Sequence, residues 1–270
     1  MNILFLLLAL SGYPGQAVVV DIPFEPELEA VTLVWQAQEI QMAPADAGWF
    51  ALLGVDLDVT PGPYEVDAVF RYAGNRQERR RLALTVTPKE YPTTRLTVEP
   101  KYVELSPANQ ERAAQEKKRI NAAYATTAAE PYWTDVFIAP IAGVTGGRNF
   151  GHRRVFNDQP RAPHSGADLT ATTGAEVRAT NRGRVVLTGD FFFNGNAVFV
   201  DHGMGVLSMY LHLSSILVEE GQLLERGELL GLAGATGRVT GPHLHWGVKV
   251  TGARVDPFTL PGFTAATTKL

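Results

Sequence analysis

Gly241-Pro242-His243-Leu244-His245-Trp246 is the stretch on which the reading of this chain turns. Its two histidines stand at i and i+2 in a run with strand character. Strand side chains alternate between faces, so both imidazoles enter the same groove. One can ligate a metal while its neighbour stays free to act on whatever the metal holds. A second stretch, Pro163-His164-Ser165-Gly166-Ala167-Asp168, supplies His164 and Asp168 four positions apart. Three ligands of His/Asp type with a fourth position left to water describe a catalytic zinc rather than a structural one. The helical H-E-x-x-H arrangement is absent.

Around these stretches, from Trp133 onward, the chain is strand-rich and punctuated by glycine. Strands are expected at Gly183–Gly189, Ala197–Asp201, Val206–Leu213, Leu229–Ala233 and His243–Thr251. With no βαβ alternation, this predicts a compact antiparallel β domain with a groove. Upstream, Ser106 is a good N-cap and Pro107 suits the first helical position, opening a half-packed linker helix over Ala108–Ala125 that Pro131 ends. From Val18 to Val98 the period is 2. Tyr64, Val66, Ala68 and Phe70 share one side of a strand, Leu82, Leu84 and Val86 share one side of the next, and Ala73-Gly74-Asn75 forms the hairpin turn between them. That half reads as a small β-sandwich without a cluster of catalytic residue types. The expected architecture is mainly β: a sandwich over 18–98, a helical linker over 99–132 and a β-sheet domain over 133–270.

The 270 residues carry a net charge of −4, which gives no basic footprint for nucleic acid. The chain has no cysteine, which excludes disulfides and thiolate metal sites. Ile3–Leu10 is an apolar run followed by Ser11, Gly12, Pro14 and Gly15, and Gly15-Gln16-Ala17 offers small residues for cleavage. Residues 1–17 therefore read as a signal peptide that directs the protein to the periplasm or the exterior, the alternative being a buried first strand. No later segment is long and apolar enough to span a bilayer.

Six elements, taken together and in order, carry a resemblance. They are Phe150-Gly151-His152-Arg153, His164-Ser165-Gly166-Ala167-Asp168, Asp201-His202-Gly203-Met204-Gly205, Tyr210-Leu211-His212-Leu213, Gly234-Ala235-Thr236-Gly237 and Gly241-Pro242-His243-Leu244-His245. Over residues 150–258 the chain resembles the catalytic domain of the lysostaphin-type (LytM-type) zinc metallopeptidases, which cut peptide bridges in bacterial peptidoglycan. The resemblance implies a barrel-sandwich-like β fold, one zinc held by His164, Asp168 and His245, and two further active-site histidines, His212 and His243. It leaves open which of those two is the base. Arg153 fits the family's Phe-Gly-x-Arg pattern as a candidate contact for a substrate carboxylate, or as a loop residue held by an ion pair. His202 reads as structural, His152 as non-catalytic and Trp246 as core.

The function implied is that of a secreted, monomeric zinc endopeptidase whose substrate is a peptidoglycan peptide, a D-Ala–diaminopimelate crosslink being favoured over a glycine bridge. The rival is a non-enzymatic or latent regulator of other wall hydrolases. Latency would place the N-terminal half or the 143–161 loop over the groove, with Asn149 or Asn157 as a fourth ligand.

Overall fold

The computed structural model describes residues 9–133, 135–143, 147 and 149–262. The N-terminal half contains β1 (Ala9–Gly12), β2 (Gln16–Pro23), β3 (Leu28–Trp35), β4 (Gln38–Gln41), β5 (Ala43–Ala45), β6 (Gly48–Val55), β7 (Gly62–Tyr72) and β8 (Gln77–Val86). They form a five-stranded sheet in the order β1-β8-β7-β3-β4 and a three-stranded sheet in the order β2-β6-β5. Alternation drives the packing. Val66, Ala68 and Phe70 on β7, with Leu82, Leu84 and Val86 on β8, are buried against residues such as Val20, Leu52 and Leu53 of the second sheet. The hairpin turn falls at Ala73–Asn75 as expected, with Gly74 and Asn75 at positive φ.

Two boundaries differ from the expectation. Pairing begins at Ala9, where β1 runs parallel to β8, so the sandwich starts ahead of Val18. Ala17 lies inside β2, buried, with its N–H donating to Thr259 Oγ1 at 2.9 Å. The cleavage point expected after Ala17 would therefore remove β1 and divide β2; residues 1–8 of that segment lie outside the described residues. At the other end the sandwich stops at Val86. β9 (Thr93–Leu96) leaves it and pairs in parallel with β10 (Arg153–Phe156), which in turn pairs with β11 (Gln159–Arg161). The segment expected to complete the first domain is thus part of the wall of the second.

The linker helix α1 (Pro107–Ala125) is capped by Ser106, whose hydroxyl accepts from the N–H of Asn109. It stops ahead of Pro131, where Thr126 turns out of helical geometry. Its Ala123, Ile120 and Tyr124 pack on Leu187, Phe199, Leu207 and Met209. The main sheet contains β12 (Gly166–Thr170), β13 (Glu176–Arg178), β14 (Gly183–Phe191), β15 (Gly195–Gly203), β16 (Val206–Ile216), β17 (Leu223–Leu224), β18 (Leu229–Ala233), β19 (His243–Val250) and β20 (Ala253–Val255). Its path is β12-β19-β16-β15-β14-β17, with β20 on β19 and β18 joining β13 to β16. All of its pairings are antiparallel. On β19, Leu244, Trp246, Val248 and Val250 are fully buried on one face, and the alternate face is left for the histidines.

The two halves share one apolar core, continuous from Val20 and Leu53 to Trp246 and Val250. Gly54 is required at this junction, since a Cβ there would lie 2.5 Å from the Val250 carbonyl oxygen. The polar tie is Arg254 on β20. Its guanidinium contacts both Asp56 and Asp58, and its backbone N–H donates to Asp56 Oδ2 at 2.7 Å. Burial pushes the Asp56 carboxyl up, but the hydrogen bonds from Arg254 outweigh it and leave the group below its usual range. A depressed folded value means that the pair stabilises the fold above the ordinary carboxylate range, near pH 4, and that this is lost as pH falls through the folded value. Asp56→Asn should therefore lower stability by about 1–2 kcal/mol at neutral pH, with the gap to the parent closing in thermal melts recorded progressively below pH 4.

Candidate metal centre

Paired strands bring the two motifs together. In the β12–β19 register Asp168 stands opposite His245 and Thr170 opposite His243. Directly opposed residues share a face, so the Asp168 carboxylate and both imidazoles project into one groove. His164, just ahead of β12, is drawn in by backbone bonds: its N–H donates to the His152 carbonyl and its carbonyl accepts from Gly151. His164 Nε2 lies 2.9 Å from His245 Nδ1 and 3.0 Å from Asp168 Oδ1, and His245 Nδ1 lies 2.8 Å from the same Oδ1. These three donors are the one group among the described residues with the spacing to hold a metal ion. Gly166 lies against the cluster, where an added Cβ would approach His245 Nε2 to 2.5 Å.

Backbone carbonyls fix the imidazoles. Nδ1 of His164 lies 2.9 Å from the Asn149 carbonyl oxygen, that of His212 2.8 Å from Thr236 and that of His243 2.9 Å from Gly241. A carbonyl can only accept, so each Nδ1 carries the proton and each Nε2 keeps its lone pair. For His164 that lone pair faces the cluster. Burial pushes its pKa down to about 4 despite the Asp168 carboxylate, and burial with the nearby His245 and His243 pushes His212 down to about 3. Both are neutral at physiological pH. Burial raises Asp168, but the imidazoles of His164 and His245 beside it outweigh this and leave the carboxyl ionised, well below the usual carboxylate range.

His212 reaches the groove by a device that periodicity does not reveal. Two positions from Tyr210 on a regular strand, it would share the core face on which Tyr210 packs, where the Tyr210 hydroxyl accepts from Thr180 and Ser208. Instead β16 carries a bulge. Tyr210 pairs with Val198 and Leu213 with Asn196, three steps against two. His212 occupies the bulge at φ +66°, in the left-handed region. A bulge re-aims the side chain, and the backbone strain is held by hydrogen bonds to Asn194 and Thr236. The His212 ring centroid then lies 5.0 Å from that of His243 and 6.0 Å from that of His245.

One expected residue falls elsewhere. Arg153 is exposed on β10, and its neighbour Arg154 faces the groove, with Nη2 donating to Asp168 Oδ2 at 2.9 Å. Alternation is the cause: Arg154 shares its face with buried Phe156, and that spacing was the available signal. Asn149, a candidate fourth ligand, has both ends of its amide engaged. Nδ2 donates to Asp168 Oδ2 at 2.9 Å and Oδ1 accepts from the Asp168 N–H at 2.9 Å. Oδ2 is thereby occupied, and Oδ1 is left for the cluster. Asn157 is bonded to the Val98 backbone, away from the site. His202 is buried between the Arg182 carbonyl and Ser208, His152 lies 2.8 Å from Thr94 Oγ1, and Trp246 is core.

Comparison with known proteins matches residues 162–257 to peptidase family M23. Peptidoglycan DD-endopeptidase ShyA of Vibrio cholerae is 45% identical over 109 residues, 40% of this chain and 25% of that one. The DD-carboxypeptidase/endopeptidase Mpg of Neisseria meningitidis is 40% identical over 97 residues, 36% of this chain and 22% of that one. The matched stretch is thus about a quarter of these relatives' length. A solved structure from Pseudomonas aeruginosa, provisionally assigned to peptidase M23, is 31% identical with a TM-score of 0.71, covering 93% of this chain and 96% of that one. That coverage takes in both β halves and the linker, and the chain belongs to peptidase family M23.

Proposed function

We propose that this protein is a zinc-dependent endopeptidase that hydrolyses peptide crosslinks of bacterial peptidoglycan in the cell envelope, with D-Ala–diaminopimelate bonds favoured over glycine bridges. The observation that carries this reading is the convergence of His164, Asp168 and His245 with two further imidazoles on one groove. The names of the DD-endopeptidase relatives support the substrate class. No helix among the described residues is long and apolar enough to cross a membrane.

The donor set fits zinc. Two imidazole nitrogens and one carboxylate oxygen converge, His164 already presents a bare Nε2, and Asp168 has one oxygen tied back. Zinc bound by these three residues supplies a Lewis acid that acidifies a water and polarises a carbonyl. His212 and His243 present Nε2 lone pairs beside the cluster. No glutamate flanks the ligands in sequence, so these imidazoles share the proton work: one accepts the water's proton, and that proton, held on an imidazolium beside the developing oxyanion, is delivered to the leaving amine. Burial keeps His212 neutral at physiological pH. The rival reading, a regulator that has lost its ligands, finds no support in a donor set this complete.

Digestion of diaminopimelate-type sacculi tests the proposal. The zinc-loaded protein should convert crosslinked dimers to monomers, as read by mass spectrometry. His245→Ala should lose zinc and activity together, whereas His212→Ala should retain zinc while kcat falls by about 10²–10⁴. Digestion by His245→Ala at the parental rate would sink the assignment. Asn149→Ala and Arg154→Ala each remove one of the two donors to the second oxygen of Asp168, and each should weaken zinc binding by roughly 10–100-fold in a chelator competition. Unchanged affinity in both would mean that these residues do not position Asp168.

A further inference from the structure

Beside the His–Asp–His cluster the groove opens into a pocket of about 320 Å³ whose lining includes Arg154, Arg161, Arg238, Phe156 and Phe193. Arg154, Arg161 and Arg238 all line it, and no aspartate or glutamate is among the described lining residues. Arg154 is engaged with Asp168. Arg238 is held over two rings, 4.9 Å from the centroid of Phe156 and 4.6 Å from that of Phe193. Arg161 donates to the Val103 carbonyl and to Gln159, and its Nε is buried with no hydrogen-bond partner among the described residues. Neither Arg161 nor Arg238 has an ion-pair partner among the described residues, although other arginines of this chain pair repeatedly with carboxylates. Burial together with the charges of Arg154 and Arg161 pulls Arg238 down to about 10, a physical sign of like charges crowded in a desolvated place.

Such a pocket is unbalanced until an anion occupies it, and guanidinium groups match a carboxylate better than any other common peptide group. Resting on the endopeptidase reading above, we propose that Arg161 and Arg238 form a carboxylate-binding subsite that holds the free carboxylate flanking the scissile amide of the crosslink. The chemistry of the substrate supplies that group. When a diaminopimelate amine is acylated by D-alanine, the carbon bearing the scissile nitrogen also bears an unblocked carboxylate. A residue inside a glycine bridge offers none. The arginine pocket thereby selects crosslinks that carry a charge beside the bond and discriminates against neutral bridges and against amidated stems.

Calorimetry on the full-length, metal-stripped protein tests the subsite without recourse to turnover. The probes are a diaminopimelate stem peptide with its side-chain carboxylate free and the same peptide with that group as the carboxamide. The free acid should bind about tenfold or more tightly, with the advantage shrinking as salt is raised. Arg238→Gln and Arg161→Gln should each abolish most of the preference, while Arg238→Lys retains part of it. Melting curves identify any variant that fails to fold, and the two-peptide comparison on the parent protein stands regardless. Equal binding of the two peptides by the parent, binding of neither, or preference undiminished in folded Arg238→Gln and Arg161→Gln would overturn the proposal. Crosslinked dimers in the two forms, offered to the zinc-loaded protein, separate the two readings. A preference in binding with no cleavage of either dimer would strike the endopeptidase assignment and leave the subsite standing.

Discussion

Asp168 and His245 face each other across the β12–β19 pair, and that register is the constraint on which the site depends. Side-chain direction in a strand has a period of exactly two residues, so a slip of one position would send His243 and His245 into the core and Leu244 and Trp246 into the groove. Register is held by the apolar side of the same strand. Leu244, Trp246 and Val248 are fully buried, and exposing them would cost several kcal/mol in transfer free energy alone. The core thus positions the polar groups on the opposite face of the strand.

A second constraint is electrostatic. A carboxylate and several imidazoles are gathered where water is scarce, and such groups persist only when their hydrogen-bonding capacity is met. The structure meets it asymmetrically. Asn149 and Arg154 saturate the outer oxygen of Asp168, and backbone carbonyls saturate Nδ1 of His164, His212 and His243. What remains is a set of lone pairs aimed inward. The bulge that turns His212 from core to groove belongs to the same arrangement, since a left-handed histidine is retained only where its surroundings compensate the strain.

The N-terminal half is more than an appendage. It shares the apolar core of the main sheet, ties to it through Asp56 and Arg254, and sends β9 to extend the β10–β11 wall that carries Arg154 and Arg161. The groove is therefore built by both halves of the chain.

Much of this was legible in the residues. The i, i+2 pair His243 and His245, the His164–Asp168 spacing, the helix opened by Ser106, the hairpin at Ala73–Asn75 and the antiparallel sheet all follow from local rules: strand alternation, capping and turn chemistry. What local rules omit is set by long-range pairing. Arg153 and Arg154 are adjacent in sequence, and only the pairing of β10 decides which of them faces Asp168. The bulge at His212 arises from a mismatch between two strands and has no signature in either one. The strand from Thr93 to Leu96 carries no mark of the half of the molecule it joins, because an unpaired edge elsewhere in the chain makes that choice. Sequence by itself determined the donor types and their local faces; tertiary structure decided which arginines reach the groove and how His212 enters it, because both depend on backbone partners far away along the chain.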